Sequence, residues 1–89
     1  MKSQVKKIMS ETSLNEEEAE ELVKLGYSNT DIFGVWKDWG ECAYEEAFNL
    51  AYCDTNNERY FDFSLFESDI KDWEKYIELK SGRIVAVDY

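Results

Sequence analysis

The sequence predicts a small single α+β domain of about four short helices with a C-terminal β-hairpin. Three observations predict it. Apolar residues recur at helical spacing through most of the first 72 positions. Two β-rich stretches near the end flank Lys80-Ser81-Gly82-Arg83, a turn in which Gly82 supplies the positive φ that a hairpin needs. The chain is also 44% hydrophobic, with three Trp, six Tyr and five Phe, and disordered acidic chains lack such aromatics. Four Gly, no Pro and no internal repeat leave no linker at which to divide residues 1–89. Residues 1–40 are read as N-terminal helices and 41–89 as the rest of one domain.

Val5, Ile8 and Met9 at i, i+3 and i+4 predict a helix over 2–10. Asn15 with Glu18 three residues on is an Asn form of the capping box, opening a helix over 16–25. Ala19, Leu22 and Val23, with Leu25 at the end, make its apolar stripe, and Gly26 suits the position after its C-cap. Lys24 is the one i+4 partner of Glu20. Ser28 to Asp31 reads as another start signal, leading into Ile32, Phe33, Val35, Trp36 and Trp39 at near-helical spacing. A short or irregular helix over 30–38 is expected there, with Gly34 inside it. Residues 41–53 read as a stronger helix burying Ala43, Ala47, Phe48, Leu50 and Ala51, flanked by Tyr44 and Tyr52. A loop over 54–57 and an extended or turn segment over 60–63 follow. Ser64 with Glu67 forms a capping box for a helix to about residue 72 that buries Leu65, Phe66 and Ile70. Tyr76, Ile77 and Leu79 then pair with Ile84, Val85 and Val87.

Twenty Asp and Glu against ten Lys and Arg give a formal net charge of −10. Residues 1–10 carry +3, from Lys2, Lys6 and Lys7, while 11–25 carry −5. Glu16/Glu20, Glu17/Glu21 and Glu41/Glu45 are like-charge i,i+4 pairs. Each destabilises its helix by a few tenths of a kcal/mol, so selection for stability alone would interleave lysines. With Asp62, Glu67, Asp69 and Asp72 they suggest a built acidic field, against the plainer reading that acidic helix faces keep an aromatic-rich domain in solution. A spherical body of this length would be about 30 Å across. The same length of duplex DNA presents roughly eighteen phosphates, a number comparable with the carboxylates here.

The composition excludes several chemistries. A direct nucleic-acid binder needs a basic footprint. With no His, imidazole can serve neither as general base nor as zinc ligand. Cys42 and Cys53 are too few for a four-thiolate site or a disulfide framework, and are read as packing residues in a reducing cytoplasm. The loop Asp54-Thr55-Asn56-Asn57-Glu58 starts like a calcium loop but has Arg59 at its sixth position and Leu65 at its twelfth, where Gly and Glu are required. No secretory or membrane-spanning segment is read. No cofactor, metal or catalytic residue is expected, and Trp36, Trp39 and Trp73 are assigned to the core or an interface rather than to base stacking.

From Tyr60 onward the residues resemble a segment near the end of ArdA-type antirestriction proteins. Tyr60, Asp62, Phe63, Phe66, Asp69 and Ile70 carry the likeness. The preceding helix, with Tyr44, Glu45, Ala47 and Tyr52, is similar to the family's, as is a hairpin ending in Val87, Asp88 and Tyr89. The likeness covers 41–89, with departures at Ser64 and Glu67-Ser68, and family members are about twice as long. The resemblance implies an acidic, non-catalytic DNA mimic, carried by phages or conjugative elements, that inhibits type I restriction-modification enzymes; it also implies a homodimer. Glu41, Glu45, Asp62, Glu67, Asp69 and Asp72 would then stand in for phosphates, seconded by Glu16, Glu17, Glu20 and Glu21. Asp62 and Asp69 have a structural alternative, capping a turn or pairing with Arg59 or Lys71. Two other functions compete: an anti-CRISPR protein blocking a CRISPR effector, and a small acidic adaptor binding a protein through exposed aromatics.

Mutual repulsion among Glu16, Glu17, Glu20 and Glu21 makes stability depend on ionic strength. Screening acts over about 10 Å at 0.1 M salt, so the melting temperature followed by circular dichroism should rise with added NaCl. An unchanged value would show that the acids are too dispersed to repel.

Overall fold

The β-branched residues Ile84, Val85 and Val87 near the C-terminus lie at the centre of the molecule. The computed structural model describes residues 2–88. In it, strand β3 (Ile84–Val87) is buried at all four positions. It pairs antiparallel with β2 (Tyr76–Glu78) on one side and with β1 (Ile32–Trp36) on the other, giving the order β1-β3-β2. Between β2 and β3, the amide of Gly82 (φ +95°) donates to the Leu79 carbonyl at 2.9 Å. The expected hairpin is therefore present.

Side chains alternate across a strand, and here both faces are covered by helices. On one face, Val85, Val87 and Leu79, with Val35 and Ile77, pack against Val5 and Ile8 of α1 (Lys2–Glu11) and Ala19 and Leu22 of α2 (Glu16–Lys24). On the other, Trp36, Tyr76, Ile84 and Ala86 pack against Cys42, Ala43 and Ala47 of α3 (Trp39–Asn49) and Phe66 and Ile70 of α4 (Phe63–Lys71). Stacking two helical layers on a narrow sheet makes a rod, 45 × 21 × 20 Å, rather than the roughly spherical body expected.

Residues 30–38 are not a helix. A single 3-10 turn, Asn29–Asp31, uses the Ser28 start signal, and the chain then enters β1. Ile32, Phe33, Val35 and Trp36 are β-branched or aromatic, so they fit a strand as readily as a helix. Pairing with β3 decides between the two. Trp36 aligns with Ile84 and Val35 with Val85, and the register shifts between Ile32 and Gly34, leaving Phe33 as an extra, exposed residue. Gly34 is the seat of Trp36: a Cβ there would lie 2.5 Å from the indole.

The helix ends also differ from expectation. Asp38 caps α3, accepting from the Glu41 amide at 2.8 Å, so α3 starts before residue 41. It stops at Asn49 because Ala51 turns left-handed (φ 63°). Tyr52 N–H then bonds Ala47 O and Ala51 N–H bonds Phe48 O, a Schellman closure built on alanine. Leu50 and Ala51 consequently lie outside the buried face. α4 is capped by Asp62, which accepts from the Leu65 amide at 3.0 Å, and not by Ser64. Leu65, expected in the buried stripe, lies off the Phe66–Ile70 line and is 60% exposed. Residues 60–63 hold the end of a 3-10 turn (Glu58–Tyr60), then extended Phe61 and Asp62. Met9 and Leu25 are exposed as well, while the Asn15–Glu18 capping box and the Gly26 ending of α2 are as expected. Tyr89 lies outside the described residues.

Two backbone substitutions should move stability in opposite directions. Gly34→Ala forces the Trp36 indole off its seat, an overpacking worth about 1–3 kcal/mol. Ala51→Gly relieves a left-handed alanine and should gain up to about 1 kcal/mol. Urea denaturation of both variants checks the signs.

Candidate interaction surface

All ten carboxylates singled out in the sequence lie at the surface, divided between the two helical layers. Glu16, Glu17, Glu20 and Glu21 are on α2. Their positions on the first two turns follow from the Asn15 cap, and the first-turn acids face the positive end of the helix dipole. Glu17, Glu20 and Glu21 line a hollow of about 400 Å³ with Lys24, Lys80 and Ser81. Glu21 accepts from the Lys80 amide at 3.1 Å. The expected Glu20–Lys24 ion pair is not formed among the described residues.

The other six are on α3, α4 and their flanks. Glu41 accepts from the Lys37 amide at 2.9 Å, and Asp62 is committed through one oxygen to its cap. Glu67 pairs with Lys71 at 3.3 Å. Its carboxylate also lies near Gly40, at the start of α3. Asp62, Asp69 and Asp72 converge on one open groove of about 590 Å³ floored by Tyr52, Phe61, Leu65, Phe66 and Trp73. Among the described residues the side chains of Glu16, Glu17, Glu20, Glu45, Asp69 and Asp72 make no ion pair or hydrogen bond. Asp62 takes the capping role, while Asp69 pairs with neither Arg59 nor Lys71.

Two further glutamates carry structure that the charge pattern did not reveal. Glu18, beyond its capping role, accepts from Ser81 Oγ at 2.6 Å and from Arg83 at 3.3 Å, tying α2 to the hairpin turn. Burial pushes its carboxyl upward. The hydrogen bonds from Ser81 and the Asn15 amide, with the Arg83 charge, outweigh this and hold it below the ordinary value. Glu46 is buried on α3, accepting from the Tyr76 hydroxyl and from Asn49 at 3.1 Å, with Lys75 at 4.0 Å. Its place on the Cys42, Ala43, Ala47 stripe was the available signal. These contacts are local or cross-element ties; Glu18 also borders the α2 hollow beside Glu17, Glu20 and Glu21, while Glu46 lines neither cavity described above.

The loop residues that resemble a calcium site are occupied by their own backbone. Asp54 accepts from the amides of Asn56 and Asn57, and Asn57 accepts from that of Asp54. Among the described residues no cluster of three or more His, Cys, Asp or Glu side chains is arranged to hold a metal ion. No helix there is long and apolar enough to cross a membrane. Cys42 and Cys53 are buried, free thiols. No family model, curated protein or solved structure matches the chain.

Burial, with the nearby Glu46 and Glu45 charges, pushes the Cys42 thiol up to about 12. Burial and the Glu46 hydrogen bond raise Tyr76 as well. Groups raised in the folded state keep protons that the unfolded chain releases. Their stabilisation is complete below an ordinary thiol value of 9.0 and is lost as pH rises toward the folded value. The urea midpoint should therefore fall steadily above about pH 9. At about pH 8.5, Cys42 should resist iodoacetamide in the native protein and react in urea, as read by mass spectrometry.

Proposed function

We propose that this protein is a non-catalytic inhibitor that places carboxylates where a bacterial defence nuclease expects phosphates, most simply a type I restriction-modification enzyme in the cytoplasm. The observation that carries the proposal is the spread of surface carboxylates over both helical layers of a 45 Å rod, six of them without an ion-pair or hydrogen-bond partner among the described residues. Along 45 Å, duplex DNA presents on the order of 26 phosphates. A chain of net charge −10 is repelled by DNA itself and attracted by Lys- and Arg-lined channels. The likeness of residues 41–89 to ArdA-type antirestriction proteins supports the same target class, and homodimer formation through that part belongs to the proposal.

The structure narrows which acids can serve. Asp62, Glu41, Glu67 and Glu21 already accept or pair within the chain, so they have less to give a partner. Glu16, Glu17, Glu20, Glu45, Asp69 and Asp72 are free to meet cations.

The test reverses four charges that hold no fold contact: Glu20→Lys, Glu45→Lys, Asp69→Lys and Asp72→Lys. Each reversal adds two charges, so the formal net moves from −10 to −2. Asp69 and Asp72 sit at the end of α4, where the helix dipole favours lysine. Plasmid restriction in cells carrying a type I enzyme should return to full strength with the quadruple variant, while its circular dichroism stays native. Single reversals should cost little, because exposed charges each contribute about 0–1 kcal/mol. Inhibition should weaken with salt, and duplex DNA should compete. Full inhibition by a folded quadruple variant overturns the reading. Protection from CRISPR interference, with restriction unaffected, moves the target to a CRISPR effector.

A further inference from the structure

The groove at the end of α4 combines two properties that a phosphate-mimicking surface does not need together. Its floor is apolar: Phe66 is core, Phe61 and Trp73 are half-buried, and Leu65 and Tyr52 remain 60% and 55% exposed. Its rim is anionic. Asp69 and Asp72 have no cation partner among the described residues, and Asp62 keeps one oxygen outside its cap bond. The nearest cation on α4, Lys71, is taken by Glu67 and lies over the Trp39 ring. Exposed leucine and tyrosine in one open groove are the mark of a covered surface rather than of a solvated one.

The order of residues along α4 gives the groove a repeat. Asp62 at the N-cap, Leu65, Phe66 and Asp69 within the helix, and Asp72 and Trp73 just past its last residue follow at three- and four-residue steps and line one groove. Asp62 and Asp69 are seven residues apart, about 10.5 Å along the axis at helical rise. Tyr52 closes one side. It is placed there by the left-handed Ala51 that ends α3, and its ring centroid lies 5.4 Å from that of Phe66.

We propose that this groove is a docking site for a basic amphipathic helix of a partner protein, with apolar side chains seated on Leu65, Tyr52 and Trp73 and flanking Arg or Lys meeting Asp62, Asp69 and Asp72. Charge complementarity selects the occupant. An anionic rim repels acidic peptides, nucleic acid and anionic membranes, and an apolar floor gains nothing from a purely polar cation. Two cations seven residues apart on a helix match the Asp62–Asp69 spacing, with the apolar anchors falling between them. The inference requires no DNA-binding partner, and it places any contact between two copies of the chain outside this groove.

The probe is a fluorescein-labelled synthetic helix with leucines at i, i+3, i+4 and i+7 and arginines on the flanks, titrated by anisotropy at 0.15 M salt into the full chain. A matched peptide carries alanines in place of the leucines. The leucine peptide should bind at least tenfold tighter than the alanine peptide. Leu65→Ser, which leaves the charge untouched, and Asp69→Asn, which leaves the floor untouched, should each weaken it at least fivefold. Both sites are exposed, so circular dichroism should stay native. Equal binding of the two peptides, with no effect of Leu65→Ser, would reduce the groove to part of a general acidic field and overturn the proposal. Sedimentation supplies the remaining check. A dimer of the free chain that Leu65→Ser dissolves would assign the groove to a second copy and overturn it equally.

Discussion

Burial of β3 on both faces is the constraint on which the rest of the structure depends. A strand with one wet face would need one helical layer. Ile84, Val85, Ala86 and Val87 are all buried, so each face requires its own cover. Fully burying a Val or Ile side chain contributes roughly 1.5–3 kcal/mol. Neither layer could be removed without exposing half of that strand. The chain therefore builds two small cores instead of one large one, and the molecule is long rather than round. The 45 Å length of the rod is thus a consequence of how an 89-residue chain covers its central strand.

Each layer is fastened to the hairpin by one buried glutamate. Glu18 reaches from α2 to Ser81 and Arg83 in the turn, and Glu46 reaches from α3 to Tyr76 on β2. A buried carboxylate is costly unless its oxygens are satisfied. Both of these are, and no buried side-chain polar atom lacks a partner among the described residues. Such ties specify register more than they add stability. They also separate the acids into two kinds. Glu18 and Glu46 face inward and hold the layers in place, while the unpartnered acids face outward and set the field that a partner would meet.

The aromatic residues follow a similar division. Rings in edge-to-face contact, with one stacked pair at Tyr76 and Trp73, run from Trp36 through Tyr76 and Trp73 to Phe66 and Phe61, with neighbouring centroids about 6 Å apart. Pairs of this kind add about 0.5–1.5 kcal/mol beyond area burial. The series begins in the core and surfaces at the α4 groove, where Tyr52 and Leu65 extend it into solvent. Acidic rim and apolar floor adjoin at this groove, so the proposed charge field and the proposed docking groove use different properties of adjoining residues.

Much of the local structure was legible in the sequence. The Asn15–Glu18 box, the Gly26 ending, the Gly82 turn and the buried pairs Val5/Ile8, Ala19/Leu22, Ala43/Ala47 and Phe66/Ile70 depend on neighbours within a few positions, and so does the crowding of acids on α2. What neighbours in sequence could not decide, pairing in space did. Ile32 to Trp36 fitted a helix or a strand equally until β3 offered a partner and Gly34 a seat for Trp36. Ser64 with Glu67 read as the α4 cap, whereas Asp62 takes that role, and Leu65 faces the groove rather than the core. Ala51 carries no left-handed signal, so the end of α3 was hidden, and with it the placement of Tyr52. Composition and short-range periodicity sufficed for the α+β class, the net charge and the surface location of the ten carboxylates singled out. Only the tertiary structure decided the third strand, the two-layer rod, the inward roles of Glu18 and Glu46 and the convergence of Asp62, Asp69 and Asp72 on an aromatic groove, because each depends on contacts between segments distant in the chain.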